Sequence, residues 1–120
     1  MAVKRHPHPL NWQWRGYAAN HRHPTNLVLH LIAVPLFILS TLLLLTALFQ
    51  LRLLPLLLGV IGLFAALALQ QHGHRLEEHA PEPFLDRQDA VERLLMEQFV
   101  TFPRFLLSGG WWRSWKNRRR

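Results

Sequence analysis

The sequence predicts an all-α membrane protein: a two-span transmembrane helical hairpin followed by an interfacial amphipathic C-terminal helix. Three observations carry that prediction. Leu31–Phe49 is a run of 19 residues without a charge, and Leu53–Leu69 is a second of 17. At about 1.5 Å of rise per helical residue, each roughly matches a ~30 Å hydrocarbon core. Histidines collect at the outer ends of both runs, His21, His23 and His30 around the start of the first and His72, His74 and His79 at and beyond the end of the second. In a hairpin all six meet at one membrane face, where an ionisable cluster is costly to keep without a purpose. In the last third, Val91, Leu94, Leu95, Phe99, Phe102 and Leu106 recur at three- and four-residue spacing, the pattern of a helix lying on a membrane.

The elements follow in order along what reads as a single membrane domain of 120 residues, half of them hydrophobic. A domain this small has too little other surface to bury two helices that are apolar all round, which argues against a soluble fold. Residues 1–23 form a polar N-terminal segment whose Trp12, Trp14 and Tyr17 suit the headgroup level. The first span is placed at 24–49, with Pro24 at the first helical position and Pro35 as a kink site. The second is placed at 53–71. A His/Glu/Pro segment, 72–83, extends it until Pro81-Glu82-Pro83 removes the backbone donors a helix needs. Residues 84–110 are assigned to the interfacial helix, with Asp89, Glu92, Arg93 and Glu97 as its solvated face. Pro103 is expected to bend or break it, and Gly109-Gly110 to end it. Trp111, Trp112 and Trp115 with the basic residues of 111–120 then read as an interfacial anchor.

The first 26 residues carry Lys4, Arg5, Arg15 and Arg22 but neither an apolar core nor a small-residue cleavage pattern, so the first span is expected to act as its own anchor. Lys116, Arg118, Arg119 and Arg120 flank the far end, whereas the turn Gln50-Leu51-Arg52 carries one charge. The positive-inside rule then puts both termini in the cytoplasm, with the histidines at the cytoplasmic interface. A net charge of +7 concentrated at membrane ends fits anionic headgroups, and no nucleic-acid-binding motif accompanies it, so no nucleic-acid partner is expected. With no cysteine in the chain, thiolate metal sites, disulfides and cysteine nucleophiles are excluded.

The chemistry lies in two spacings. Asn26 and His30, four apart, share a helix face, with His23 one turn earlier; Gln70, His74 and Glu78 follow at steps of four. Gln71 and His74, three apart, are also close. Neutral imidazole is a good ligand for iron, zinc, copper or nickel, and facing helices that each present histidine and carboxylate are how bundle metal sites are built. His6 and His8 beside prolines read as ordinary interfacial residues. His30 lies well inside a span, where an unpaired polar group is expensive, and His74 sits at the matching depth.

The stretch Tyr17-x3-His21-x4-Asn26-x3-His30-x4-Pro35, followed after one hairpin by Gln70-x2-Gly73-His74-x2-Glu77, resembles a family of small membrane proteins. That family is typified by a fungal 2-hydroxy fatty acid dioxygenase of phytosphingosine breakdown. Pro81-Glu82-Pro83-Phe84, Glu97-Gln98-x2-Thr101-Phe102-Pro103-Arg104-Phe105 and Ser108-Gly109-Gly110-Trp111 resemble its bacterial branch. The resemblance implies an Fe(II)-dependent enzyme that shortens 2-hydroxy fatty acids by one carbon, with a membrane lipid or fatty acid and O2 as its partners. It implies His21, His30 and His74 as metal ligands, with Asn26 and an acid, Glu77 or Glu78, alongside in catalysis. His23, His72 and His79 are further candidate ligands, Arg22 or Arg75 are candidates to attract the carboxylate, and Ala33 departs from the family's usual glycine. A hydroxyl beside a carboxylate is a natural chelating pair for Fe(II). Oxidising it to the shorter acid and carbon dioxide releases the four electrons that one O2 consumes, so no organic cofactor is called for. Two other readings stand beside this one: a b-type haem protein with His30 and His74 as axial ligands, and a non-catalytic scaffold whose histidines hydrogen-bond between helices. A second copy of the chain is a further candidate partner, as a homo-oligomer that completes the bundle.

Overall fold

The computed structural model describes residues 6–117, so Lys4, Arg5, Arg118, Arg119 and Arg120 of the charge argument lie outside the described residues. Every regular element among the described residues is helical, in agreement with the predicted class. Helix α1 (Pro9–Tyr17) runs into a 3-10 turn at Ala18–Asn20, followed by two long helices, α2 (Pro24–Gln50) and α3 (Leu53–Arg75). Pro9 and Pro24 each stand in a first turn, where a missing N–H costs nothing. The start of α2 is capped by His23, whose Nδ1 accepts from the Thr25 amide at 3.1 Å.

Both long helices are long and apolar enough to cross a membrane. They expose their large apolar side chains instead of burying them: Phe49 is 89% and Phe64 70% exposed. A soluble protein does not leave two whole helices in that condition. The turn joining them is tight, with Leu51 in the left-handed region at φ 51° and the Arg52 amide bonded to the Ala47 carbonyl at 3.1 Å. The helices meet along a seam of small residues. A Cβ on Gly59 would lie 3.1 Å from the Ser40 carbonyl oxygen, one on Gly62 2.0 Å from Ser40 Oγ, and one on Gly73 2.1 Å from Asn26 Oδ1. Ala33 and Ala66 are fully buried in the same seam. Backbones that approach this closely gain dispersion contacts that lipid cannot replace.

The second long helix runs past residue 71 but not to Pro81. It takes in His72 and His74 and ends at Arg75, six residues before Pro81, with the Leu76 and Glu77 amides closing its last turn on the carbonyls of Gly73 and His74. That early end keeps Glu78 off the helical face it was expected to share with Gln70 and His74.

The C-terminal third departs most from expectation. It is helical as α4 (Arg87–Met96), a π turn (Glu97–Thr101) and α5 (Phe102–Leu107), and Pro103 does not break it. Proline at 103 has no N–H for the carbonyl at 99 and its ring crowds that carbonyl. Widening the preceding turn is a compatible solution, and the Phe102 amide reaches the Glu97 carbonyl five residues back. The segment's polar face, apart from Glu92, is not the solvated one expected. Val91, Leu95, Phe99 and Leu106 of the apolar stripe are 39–55% exposed, whereas Asp89, Arg93, Gln98 and Thr101 are buried. Its polar face points inward, toward the open end of the hairpin.

Gly109, at φ 85°, ends that helix in a conformation only glycine adopts without strain, and α6 (Gly110–Lys116) follows. Trp111 and Trp115, expected in an anchor, instead fold back over α2: they stack at 5.5 Å, and Trp111 Nε1–H donates to the Leu27 carbonyl at 3.0 Å. Trp112 is exposed, with the Lys116 ammonium over its ring. Tyr17, Leu27, Val34, Phe102 and Phe105 form the core of this cap.

Candidate metal centre

Four side chains from four parts of the chain converge beneath the cap. His21 leaves the turn after α1, His30 the second helical turn of α2, His74 the last turn of α3, and Glu97 the start of the π turn. Each offers one ligand atom, and these atoms all lie within 4.8 Å of one another. His21 and His30 are at most 2% exposed, and the Glu97 side chain is 13% exposed. The rings of His21, His30 and His74 are mutually edge-on, with centroids 4.6–5.0 Å apart.

The backbone decides which nitrogens face the centre. His21 Nδ1–H donates to the Tyr17 carbonyl at 2.8 Å, and His30 Nδ1–H to the Asn26 carbonyl at 3.1 Å. A carbonyl only accepts, so in a neutral ring the proton sits on Nδ1 and Nε2 carries a lone pair. Those Nε2 atoms lie 3.5 and 3.3 Å from Glu97 Oε2, yet they make no hydrogen bond and are fully buried; His74 Nδ1 is also buried without a partner. Buried polar atoms left this way are rare and costly. Lone pairs from imidazole nitrogens and a carboxylate oxygen aimed at one small volume are what a cation satisfies, and carbonyl-held imidazoles are the usual outer support of such sites.

Electrostatics reinforces this. Burial pushes the His21 pKa below its ordinary value, more strongly than Glu97 pulls it up, so the ring stays neutral and able to ligate. Burial opposes ionisation of Glu97, but hydrogen bonding and charge attraction from His21 and His30 when a facing Nε2 carries a proton outweigh it and hold its carboxyl well below the usual range. Burial, then the charge of Glu97, raises the Tyr17 phenol, which keeps its proton and donates it to Glu97 Oε2 at 2.7 Å.

The expected acids are placed elsewhere. Glu77 accepts from the backbone amides of Arg22 and His23 at 2.9–3.1 Å and from Asn26 Nδ2 at 2.7 Å. It therefore caps the positive N-terminus of α2 and ties the end of α3 to the turn that carries His21. Asn26, fully buried, shares in this clamp, with its Nδ2 also 3.3 Å from the Asn20 carbonyl. Glu78 lies exposed beyond the helix, outside the cluster. Of the further histidines, His23 is a helix cap, and His72 and His79 are exposed.

Sequence reasoning missed Glu97 as a partner of the histidines, because an ideal helix through residues 84–110 puts it on the solvated face. Two signals pointed to it: Pro103 inside an otherwise helical pattern, and the Glu97-Gln98 pair among polar residues set opposite an apolar stripe. Gln98 is fully buried and exchanges two amide hydrogen bonds with Gln70, at 2.7 and 2.9 Å, fixing the π turn against α3.

A cavity of about 710 Å³ borders the cluster, with His21, His74, Tyr17 and Glu97 in its lining. Trp12, Leu67, Val91, Leu94 and Phe84 give it apolar walls. Arg93 also lines it, but its guanidinium is held by the Glu82 and Pro83 carbonyls and by Asp89, between the rings of Trp12 and Phe84.

Residues 8–105 match the family model described as Mpo1-like: 2-hydroxy-palmitic acid dioxygenase Mpo1-like. No curated protein and no solved structure matches the chain.

Proposed function

The chain belongs to the Mpo1-like family, and on that premise we propose that it is an Fe(II)-dependent membrane dioxygenase that shortens 2-hydroxy fatty acids by one carbon. The observation that carries this reading is the convergence of His21, His30, His74 and Glu97, with imidazole nitrogens buried and unsatisfied, beside a cavity that Trp12, Leu67, Phe84 and Leu94 help to line. These four residues would hold the metal. When bound, iron(II) would supply open coordination positions and the redox chemistry that couples oxidation of the 2-hydroxy acid to reduction of O2. The overall change, 2-hydroxy acid plus O2 to shortened acid, carbon dioxide and water, balances without an external reductant.

The chain's own residues supply the rest. His21 and His30 are fixed in one tautomer by backbone carbonyls, Tyr17 holds Glu97, and Glu77 holds the His21 turn. Trp12, Leu67, Val91 and Leu94 offer the acyl chain an apolar, water-poor path. In this reading α2 and α3 span the membrane, the cap lies at its cytoplasmic face in a bacterial inner membrane, and the outward apolar stripe of α4 and α5 meets lipid. Substrate then reaches the site from the bilayer.

The competing readings find less support. His30 and His74 rings 4.6 Å apart, with His21 against both, leave no gap for a porphyrin between them. The scaffold reading needs histidines bonded between helices, whereas His21 and His30 bond carbonyls four residues back in their own segments. The test is turnover: detergent-solubilised protein loaded anaerobically with Fe(II) is given a 2-hydroxy fatty acid and O2. Equal amounts of O2 consumed and shortened acid formed support the proposal. Stoichiometric iron with no shortened acid from any chain length contradicts it.

A further inference from the structure

We infer that Tyr17 is the positioning residue of the metal centre, setting how Glu97 presents its oxygen to a metal. The inference rests on the metal-site reading above and deepens it. Tyr17 makes three separate contacts with two of the four donors. Its hydroxyl donates to Glu97 Oε2 at 2.7 Å, the same oxygen that faces the Nε2 atoms of His21 and His30. Its carbonyl accepts from His21 Nδ1 at 2.8 Å. Its ring stacks on the His21 imidazole, with centroids 3.9 Å apart and planes 16° from parallel.

The geometry separates these roles. The ring and carbonyl hold His21 and belong equally to a phenylalanine at this position. The hydroxyl alone acts on Glu97. By occupying one lone pair of Oε2 it fixes the carboxylate's rotation and leaves a single, defined direction for ligation. Tyr17 itself is locked by Phe105, whose ring meets it edge-on at 5.0 Å, and it is 3% exposed, so the hydroxyl has little freedom to point elsewhere. Outer-sphere partners of this kind shift metal affinity by about 10–100-fold when removed.

The experiment is Co(II) titration of the detergent-solubilised full chain, read by its visible absorption, in wild type, Tyr17→Phe, Glu97→Gln and the double variant. Tyr17→Phe is expected to keep the apo melting temperature near that of wild type, to bind Co(II) about 10–100-fold more weakly, and to change the shape of the visible bands. In the Glu97→Gln background, the same substitution is expected to change neither affinity nor spectrum further. Unchanged affinity and bands in Tyr17→Phe overturn the inference while leaving the metal site standing. An equal loss in both backgrounds, or a Tyr17→Phe protein that does not fold, also overturns it by assigning the hydroxyl to the fold. Failure of wild type itself to bind Co(II) removes the metal-site reading and the inference together.

Discussion

Glu77 and Glu97 both lie at the open end of the hairpin, and their surroundings give them different work. Glu77 faces N–H donors only: two consecutive backbone amides and the amide of Asn26. Glu97 faces a phenol and two imidazole lone pairs. Glu77→Gln replaces charge-assisted bonds with neutral ones, and a loss of about 1–3 kcal/mol is expected in denaturant or thermal melts. Glu97→Gln removes a partly buried charge with little packing change, so its main effect is expected in metal affinity. Glu78→Gln, at an exposed position outside the cluster, is expected to alter metal binding by less than twofold, checked by the same titration. His30 stood out in the sequence because a ring inside an apolar span contrasts with its neighbours, and His74 because it sits at the matching depth. His21, before the span, entered as a ligand only through the family resemblance. Glu97 did not stand out, because its neighbours are charged too and only the altered helical pitch turns it inward.

At the scale of elements, the seam between α2 and α3 decides whether the cluster can assemble. Gly73 lies one residue before His74 and directly against Asn26, so a methyl group there displaces the clamp that Asn26 shares with Glu77. Gly73→Ala is expected to cost about 1–3 kcal/mol, the usual range for overpacking, and to lower metal occupancy as well. Gly16→Ala has open space around its Cβ and serves as the control, with little change in either readout. The two spans were legible to within one residue at the shared turn, because an uncharged run has one physical reading in a membrane. The burial of the C-terminal segment's polar face was not. Periodicity identifies an apolar and a polar face, but whether the polar face meets water or protein depends on what it finds to bond, and here Gln98, Arg93 and Glu97 find partners within the protein.

For the whole molecule, the polar cap ties folding to protonation. His21 is held below its ordinary 6.5 and Glu97 below its ordinary 4.5. For both groups the unfolded chain takes up a proton before the folded one does, so stability rises with pH and is lost on acidification. The loss begins as pH falls through about 6.5, where unfolded His21 protonates, and continues below about 4.5, down through the lowered folded value of Glu97. Thermal melts of the metal-free protein in detergent are expected to follow this course, and Glu97→Gln to flatten its acidic part. A metal adds to the same dependence, since it binds only neutral imidazole and ionised carboxylate. The claim on which all of this turns is that His21, His30, His74 and Glu97 hold one metal ion. The most direct test is the iron content of anaerobically purified protein, wild type beside His30→Ala and Glu97→Gln. About one iron per chain is expected in wild type, lost in His30→Ala and sharply reduced in Glu97→Gln while both remain helical. A wild type that takes up no stoichiometric metal even when Fe(II) is supplied, or a Glu97→Gln protein that holds iron as tightly as wild type, would contradict it.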